Sequence, residues 1–73
     1  MYDYSKLRGR IVEKFGSQRN FSEKIDLSER TIGLKLNNLI SFNQSDIETW
    51  STHLEITRDE IPDYFFTKKV QKF

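Results

Sequence analysis

Apolar residues recur at helical spacing in the first part of the chain. Counted from the first of them, they lie four, five and eight positions on, which predicts one face of an α-helix. These residues are Leu7, Ile11, Val12 and Phe15. Asp3 or Ser5 can cap the start of this helix, and Gly16 suits the left-handed conformation that often ends one.

Two shorter helices are predicted next, over residues of about 18–25 and 29–37. Each follows a serine that can act as its N-cap, Ser17 for the first and Ser28 for the second. Each also carries an inward-facing apolar pair at positions i and i+4. The pairs are Phe21 with Ile25 and Ile32 with Leu36.

A fourth helix is predicted after a loop at about 39–44. Ser45 is followed three residues later by Glu48, which is the capping-box pattern of a helix start. The inward face of this helix carries Ile47, Trp50 and Leu54.

A fifth helix is predicted to be very short. Thr57 and Glu60 form a second capping-box pattern, and Pro62 limits the helix to a turn or forces a kink in it. The period of the residues after Pro62 fits either a strand or a helix.

The predicted elements define the fold class. Before the C-terminal tail, no run alternates between apolar and polar residues as a half-buried strand would. Five short helices in roughly 65 residues indicate an all-α bundle. We expect one domain over residues 1–66 and an aromatic C-terminal tail over residues 67–73.

Composition limits the chemistry that this chain of 73 residues can carry. It has no cysteine and a single histidine, His53, which excludes a disulfide, a thiolate metal site and a histidine-rich zinc site. It also lacks a Gly-rich phosphate loop, so we expect neither catalysis, nor a cofactor, nor a bound metal. No signal peptide or long apolar window is visible, so we expect a cytoplasmic protein without a membrane partner.

Residues 18–37 resemble the helix–turn–helix of the phage repressor and Cro-like family, the XRE type. The resemblance rests on apolar residues at four family positions, a small residue where the helices cross, and a serine cap. These are Phe21, Ile25, Leu27, Ile32, Ser22 and Ser28. Asp26 stands where the family usually has Gly, and Lys35 stands where it usually has an apolar residue. Leu34 or Leu36 would then take the buried role, or the helix would be rotated or shortened.

The resemblance implies a five-helix repressor/Cro-like bundle whose second motif helix enters a DNA major groove or meets a repressor. The residues implied in this contact are Gln18, Ser28, Glu29, Arg30, Gly33, Leu34 and Asn37. The candidate phosphate contacts are Lys6, Arg8, Arg10, Arg19 and Lys35. A solvated helix face is the alternative interpretation of the same residues.

The distribution of charge argues against simple operator binding. The net charge is only +1, yet residues 1–40 carry +3, residues 41–67 carry −5 and residues 68–73 carry +3. Neutralisation of phosphates supplies most non-specific DNA affinity, and a half-domain at +3 supplies little of it. An acidic, aromatic surface instead complements the basic DNA-binding face of another protein.

Four further blocks sharpen the resemblance. They are Tyr2–Gly9, Leu27–Ile32, Lys35–Asn38 and Ile61–Phe66. They are similar to the modulators of repression, or antirepressors, of temperate lactococcal phages. This resemblance implies a regulator of the lytic/lysogenic switch, in the cytoplasm of the bacterial host cell, that antagonises the lysogenic repressor by forming a complex with it. The alternative is a Cro-like dimeric repressor that binds operator DNA, and a bare structural module is the third hypothesis.

Four of the last ten residues, 64–73, are aromatic. We expect Phe65 or Phe66 to close the core beneath Trp50 and Leu54, which leaves other apolar side chains exposed. Such exposed residues predict an interface, either for a homodimer, as in Cro-like proteins, or for the repressor. The candidate interface residues are Tyr64, Phe66, Val70 and Phe73.

Overall fold

A computed structural model describes residues 1–70, which form five α-helices and one 3₁₀ turn. The helices are α1 (Ser5–Phe15), α2 (Gln18–Ile25), α3 (Glu29–Leu36), α4 (Gln44–Leu54) and α5 (Ile61–Phe65), with the 3₁₀ turn at Arg58–Glu60 before α5. The predicted all-α, five-helix fold is therefore confirmed.

The serine caps of α2 and α3 are confirmed. Ser17 Oγ accepts a hydrogen bond from the Asn20 N–H at 3.0 Å, and Ser28 Oγ accepts one from the Thr31 N–H at 3.0 Å. Asp26 takes the left-handed conformation between the two helices, with φ at 58°. The serines therefore satisfy otherwise unpaired N–H groups at two helix starts, and Asp26 makes the turn that a glycine could have made.

The predicted start of α4 is wrong by two residues. Its capping box is formed by Asn43 and Asp46, not by Ser45 and Glu48. The Asp46 N–H donates to Asn43 Oδ1 at 2.7 Å, and the Asn43 N–H donates to Asp46 Oδ2 at 3.0 Å. Asp46 also binds Lys35, a contact 11 residues away that local sequence does not reveal.

The core is built around Trp50, whose side chain is fully buried. The rings of Phe21 and Phe42 approach it edge-on, with centroids 5.0 Å and 4.7 Å from its own. Leu7 and Ile11 bring α1 onto this core, but the prediction that Val12 faces inward is wrong, because Val12 is 54% exposed. Val12 lies about 100° around the helix from Ile11, which turns it away from the core.

The last helix closes the bundle with aromatic residues. Pro62 lies in the first turn of α5, where its missing N–H does no harm. Tyr64 and Phe65 are buried, whereas Phe66 is 49% exposed. The expectation that one phenylalanine of this pair completes the core is confirmed, and the residue is Phe65.

The first and last described residues pair as extended chain. The Asp3 N–H donates to the Thr67 carbonyl at 2.7 Å, and the Lys69 N–H donates to the Met1 carbonyl at 3.2 Å, around an antiparallel bridge between Tyr2 and Lys68. No helix in residues 1–70 is long and apolar enough to span a membrane.

Candidate functional site

The exposed face of α3 carries most of the predicted contact residues. Ser28, Glu29 and Arg30 are exposed, and Gly33 and Leu34 are half-buried. A Cβ added at Gly33 would meet no atom within 4 Å, so the surface at Gly33 is open. Gln18 is also half-buried, but it lies at the start of α2.

Two predicted contact residues bind each other at the end of α3. Arg8 Nη2 donates to Asn37 Oδ1 at 2.7 Å and to the Leu36 carbonyl at 3.1 Å. The guanidinium thus satisfies a carbonyl in the last turn of the helix, where such groups have no intrahelical partner. Arg8 and Asn37 therefore have a structural role that the sequence did not indicate.

Arg10 has a similar role at the end of α4. Its Nε donates to the Leu54 carbonyl at 2.8 Å, and its Nη2 donates to the Glu55 carbonyl at 3.1 Å. Its Nη1 binds Glu13 at 2.8 Å. Every nitrogen of this guanidinium thus binds an acceptor of the chain itself, which leaves it less available to a phosphate.

The prediction that Lys35 contacts phosphate is wrong. Lys35 is only 7% exposed, and its Nζ lies 2.7 Å from Asp46 Oδ2. The neighbouring Leu36 is buried as well, so α3 keeps an inward face in spite of the charge. A buried ammonium needs a charged partner, and Asp46 provides one.

The other two predicted phosphate contacts remain at the surface. Lys6 is exposed, with its Nζ 4.7 Å from the centroid of the Tyr64 ring and 3.9 Å from Asp63. Arg19 is exposed, with its Nε 3.8 Å from Glu23. These two residues keep a cation available at the surface, next to an acidic side chain.

The acidic and basic segments of the sequence do not form two separate faces. Ion pairs join the basic first part to the acidic middle at three places: Lys6–Asp63, Lys14–Glu55 and Lys35–Asp46. The hydrogen bond and the charge of Lys14 hold the pKa of Glu55 below its usual value. Glu48 and Asp59 have no cation within 4 Å among residues 1–70. Glu60 likewise makes no ion pair with residues 1–70, so half of the six acidic side chains of the middle segment are paired within the fold.

An open cavity of about 530 Å³ lies between the N-terminal segment, the α3–α4 connection and the end of α5. We call it the aromatic groove. It is lined by Met1, Tyr2, Tyr4, Asn38, Ile40, Ser41, Phe42, Ile47, Phe65 and Phe66.

The rings of the aromatic groove contact each other edge to face. The centroids of Tyr4 and Phe42 are 5.1 Å apart, those of Phe42 and Phe65 are 5.2 Å apart, and those of Tyr2 and Phe66 are 6.0 Å apart. Burial raises the pKa of the Tyr4 hydroxyl, with a smaller contribution from Tyr2. The Tyr4 hydroxyl is therefore neutral at physiological pH.

Of the predicted interface residues, Phe66 lines the groove and Val70, 85% exposed, follows the paired segment. The prediction that Tyr64 is an exposed interface residue is wrong, because Tyr64 is 6% exposed and belongs to the core. Phe73 lies outside the described residues. The rest of the groove was missed, although the apolar run Leu39-Ile40 beside Phe42, in a predicted loop, was a signal.

The described residues offer no group of three or more His, Cys, Asp or Glu side chains placed to hold a metal ion. His53 is half-buried on α4, with its Nδ1 2.9 Å from the Thr49 carbonyl.

Comparison with known proteins identifies relatives. A family model described as "Protein of unknown function (DUF739)" matches residues 1–68, and it is not a model of an XRE family. The solution structure of the modulator of repression (MOR) of the temperate bacteriophage TP901-1 from Lactococcus lactis is similar, with a TM-score of 0.81 and 46% sequence identity. The match covers 96% of this chain and 95% of that one. The comparison with functionally curated proteins finds no match.

Proposed function

The chain belongs to the DUF739 family, and from this membership and its likeness to MOR we propose that it is a phage modulator of repression that binds the lysogenic repressor. The complex would withdraw the repressor from its operators and favour the lytic side of the switch, in the host cytoplasm. The observation that carries the proposal is the extent of the likeness to MOR, which spans nearly the whole of both chains. No catalytic step is required for this role.

The aromatic groove is the surface that we propose for the repressor. Met1, Ile40 and Phe66 expose apolar area around it, and Leu39 adds more beside it. Contiguous exposed apolar surface on a small domain marks an interaction site, and aromatic residues dominate the centres of interfaces.

The exposed face of α3 would form the polar part of the same interface. Asn37 ends α3 and Asn38 lines the groove, so the helix leads directly into the groove wall. Glu29 is exposed in the first turn of α3 and would face a basic side chain of the repressor's DNA-binding domain. This contact would cover the surface by which the repressor recognises its operator.

Operator binding by a Cro-like homodimer is the second candidate function. Arg30 favours it, since it is exposed on α3 without an ion pair among the described residues and could bind a guanine. The contacts of Arg8, Arg10 and Lys35 within the chain argue against operator binding, because phosphate binding would need these cations. We therefore rank the repressor above DNA as partner.

The proposal is tested by light scattering of the protein mixed with the repressor of the same phage. A mixed species with the summed mass supports it, and separate species at micromolar concentration contradict it. Phe66→Ala should weaken the complex by about tenfold or more, since it removes an exposed ring from the groove. Val12→Ala, which trims an exposed apolar side chain on the solvent side of α1, should leave it unchanged.

A gel shift separates the two candidate functions. Operator DNA is incubated with the repressor, with this protein, and with both. Loss of the repressor's band only in the third sample supports repressor capture. A sequence-specific band with this protein alone, lost with Arg30→Ala, supports operator binding instead.

A further inference from the structure

Lys35 contacts two residues of the α3–α4 connection and one residue in the first turn of α4. Its Nζ donates to Asp46 Oδ2 at 2.7 Å and to the Ser41 carbonyl at 3.3 Å. The same nitrogen lies 5.7 Å from the centroid of the Phe42 ring. The side chains of Lys35 and Asp46 are only 8% and 17% exposed, so water competes little for these contacts.

The partners of Lys35 all lie in, or next to, one wall of the aromatic groove. Ser41 and Phe42 line the groove, and Asp46 precedes Ile47, which lines it too. Asp46 also accepts the Asn43 N–H, so one carboxylate joins Lys35 to the start of α4.

The backbone alone does not hold this wall in place. The Leu39 and Ile40 N–H groups both donate to the Leu34 carbonyl, at 2.9 Å and 3.2 Å. Ser41 and Phe42 make no backbone–backbone hydrogen bond with any described residue. Side chains must therefore fix Ser41 and Phe42. Three neighbouring rings of the core hold the Phe42 ring, and Lys35 supplies the only side-chain hydrogen bond to Ser41 within residues 1–70.

We propose that Lys35 is a positioning residue, which fixes the 41–43 wall of the aromatic groove through Ser41 and Asp46 and couples it to α3. The fixing of the wall is internal to the chain, and only its consequence for the repressor rests on the proposed function. A buried ion pair adds little stability over an apolar pair of similar volume, so its value here lies in the geometry that it imposes.

The test compares Lys35→Met with Lys24→Met by NMR relaxation. Lys24 is exposed near the end of α2, so it is a matched control for the same substitution. In Lys35→Met the backbone order parameters of residues 41–43 should fall from about 0.85 to below about 0.6, whereas those of α1 stay high. Lys24→Met should leave both regions unchanged.

Folding of the variants is checked first, through the urea midpoint reported by Trp50 fluorescence. If Lys35→Met does not fold, the double variant Lys35→Met/Asp46→Asn replaces it, because Asn leaves no unpaired carboxylate and retains a capping oxygen. Order parameters of 41–43 that stay high in the folded variant overturn the proposal.

The repressor supplies a second readout. Lys35→Met should weaken repressor binding by about tenfold, mainly because the loosened wall would have to become ordered when the complex forms. Lys24→Met should leave the affinity unchanged. If the order parameters of 41–43 fall but the affinity for the repressor stays unchanged, Lys35 does not influence repressor binding. If the wild-type chain binds no repressor, the proposed function fails, and the order parameters alone still decide whether Lys35 fixes the wall.

Discussion

The side-chain amide of Asn38 binds both backbone groups of Tyr2. The Tyr2 N–H donates to Asn38 Oδ1 at 2.9 Å, and Asn38 Nδ2 donates to the Tyr2 carbonyl at 2.9 Å. Asn38 thus pairs with Tyr2 as a neighbouring strand would, on the side opposite the bridge to Lys68. Its backbone is left-handed, with φ at 64°, a conformation that asparagine tolerates better than most residues.

Asn38→Gly should therefore destabilise the fold by about 1–2 kcal/mol, since it removes two hydrogen bonds and keeps the left-handed backbone free of strain. Asn38→Asp should cost at least as much, because a carboxylate oxygen would face the Tyr2 carbonyl. Urea unfolding followed by Trp50 fluorescence measures both. A midpoint of Asn38→Gly equal to that of the wild type would show that the pairing contributes nothing.

The glycines of α1 and its end should respond to alanine with opposite signs. Gly9 lies inside the helix with open space over it, so Gly9→Ala should stabilise the fold by about 0.5–1 kcal/mol. Gly16 has φ at 84°, so Gly16→Ala should destabilise it by about 1–2 kcal/mol. Thermal unfolding of the two variants measures the difference, and shifts of the same sign would contradict these two roles.

The sequence alone was sufficient to predict the elements whose signals are local. The apolar spacing of Phe21 and Ile25, with the serine caps, predicted α2 with both bounds correct. Asp26 and Ser28 also predicted the turn and the start of α3, because both signals are local: Asp26 tolerates the left-handed backbone, and Ser28 Oγ accepts the Thr31 N–H three residues on.

The site depends on distant partners, which explains what the sequence could not predict. Arg8 and Arg10 bind carbonyls 28 and 44 residues away, at the ends of other helices. An isolated cation on a helix face gives no sign of such an acceptor, so both were predicted as phosphate contacts. The groove is likewise assembled from three separated segments, and only Phe66 was identified in advance.

Arg10 should contribute strongly to stability. Arg10→Ala leaves the Leu54 and Glu55 carbonyls without their donor, and we expect a loss of about 1.5–3 kcal/mol. Arg10→Lys should recover only part of this, since an ammonium cannot reproduce the planar fork. Chemical denaturation gives both values.

Arg19→Ala is the matched control for Arg10. The Arg19 side chain is exposed, and its one ion pair within residues 1–70 is with Glu23, so its loss should change stability by less than about 0.5 kcal/mol. Equal losses for the two arginines would mean that the helix-end contacts of Arg10 are not what stabilises the fold.

The pair between Lys14 and Glu55 should make stability depend on pH in a defined direction. The hydrogen bond from Lys14, with its charge, lowers the pKa of Glu55 in the folded chain, so folding favours the ionised carboxylate. This contribution is present above the ordinary glutamate pKa of about 4.3 and is lost as pH falls through the lower folded value.

Glu55→Gln should accordingly lower the thermal midpoint at pH 7, by a small amount because the pair is exposed to solvent. Its difference from the wild type should shrink toward zero as the pH falls through the lowered pKa of folded Glu55, below which the wild-type carboxylate is protonated too. Unfolding curves across this range, at low and high salt, measure the difference, and added salt should reduce it at pH 7. A difference that stays constant or grows in acid would exclude ionised Glu55 as its source.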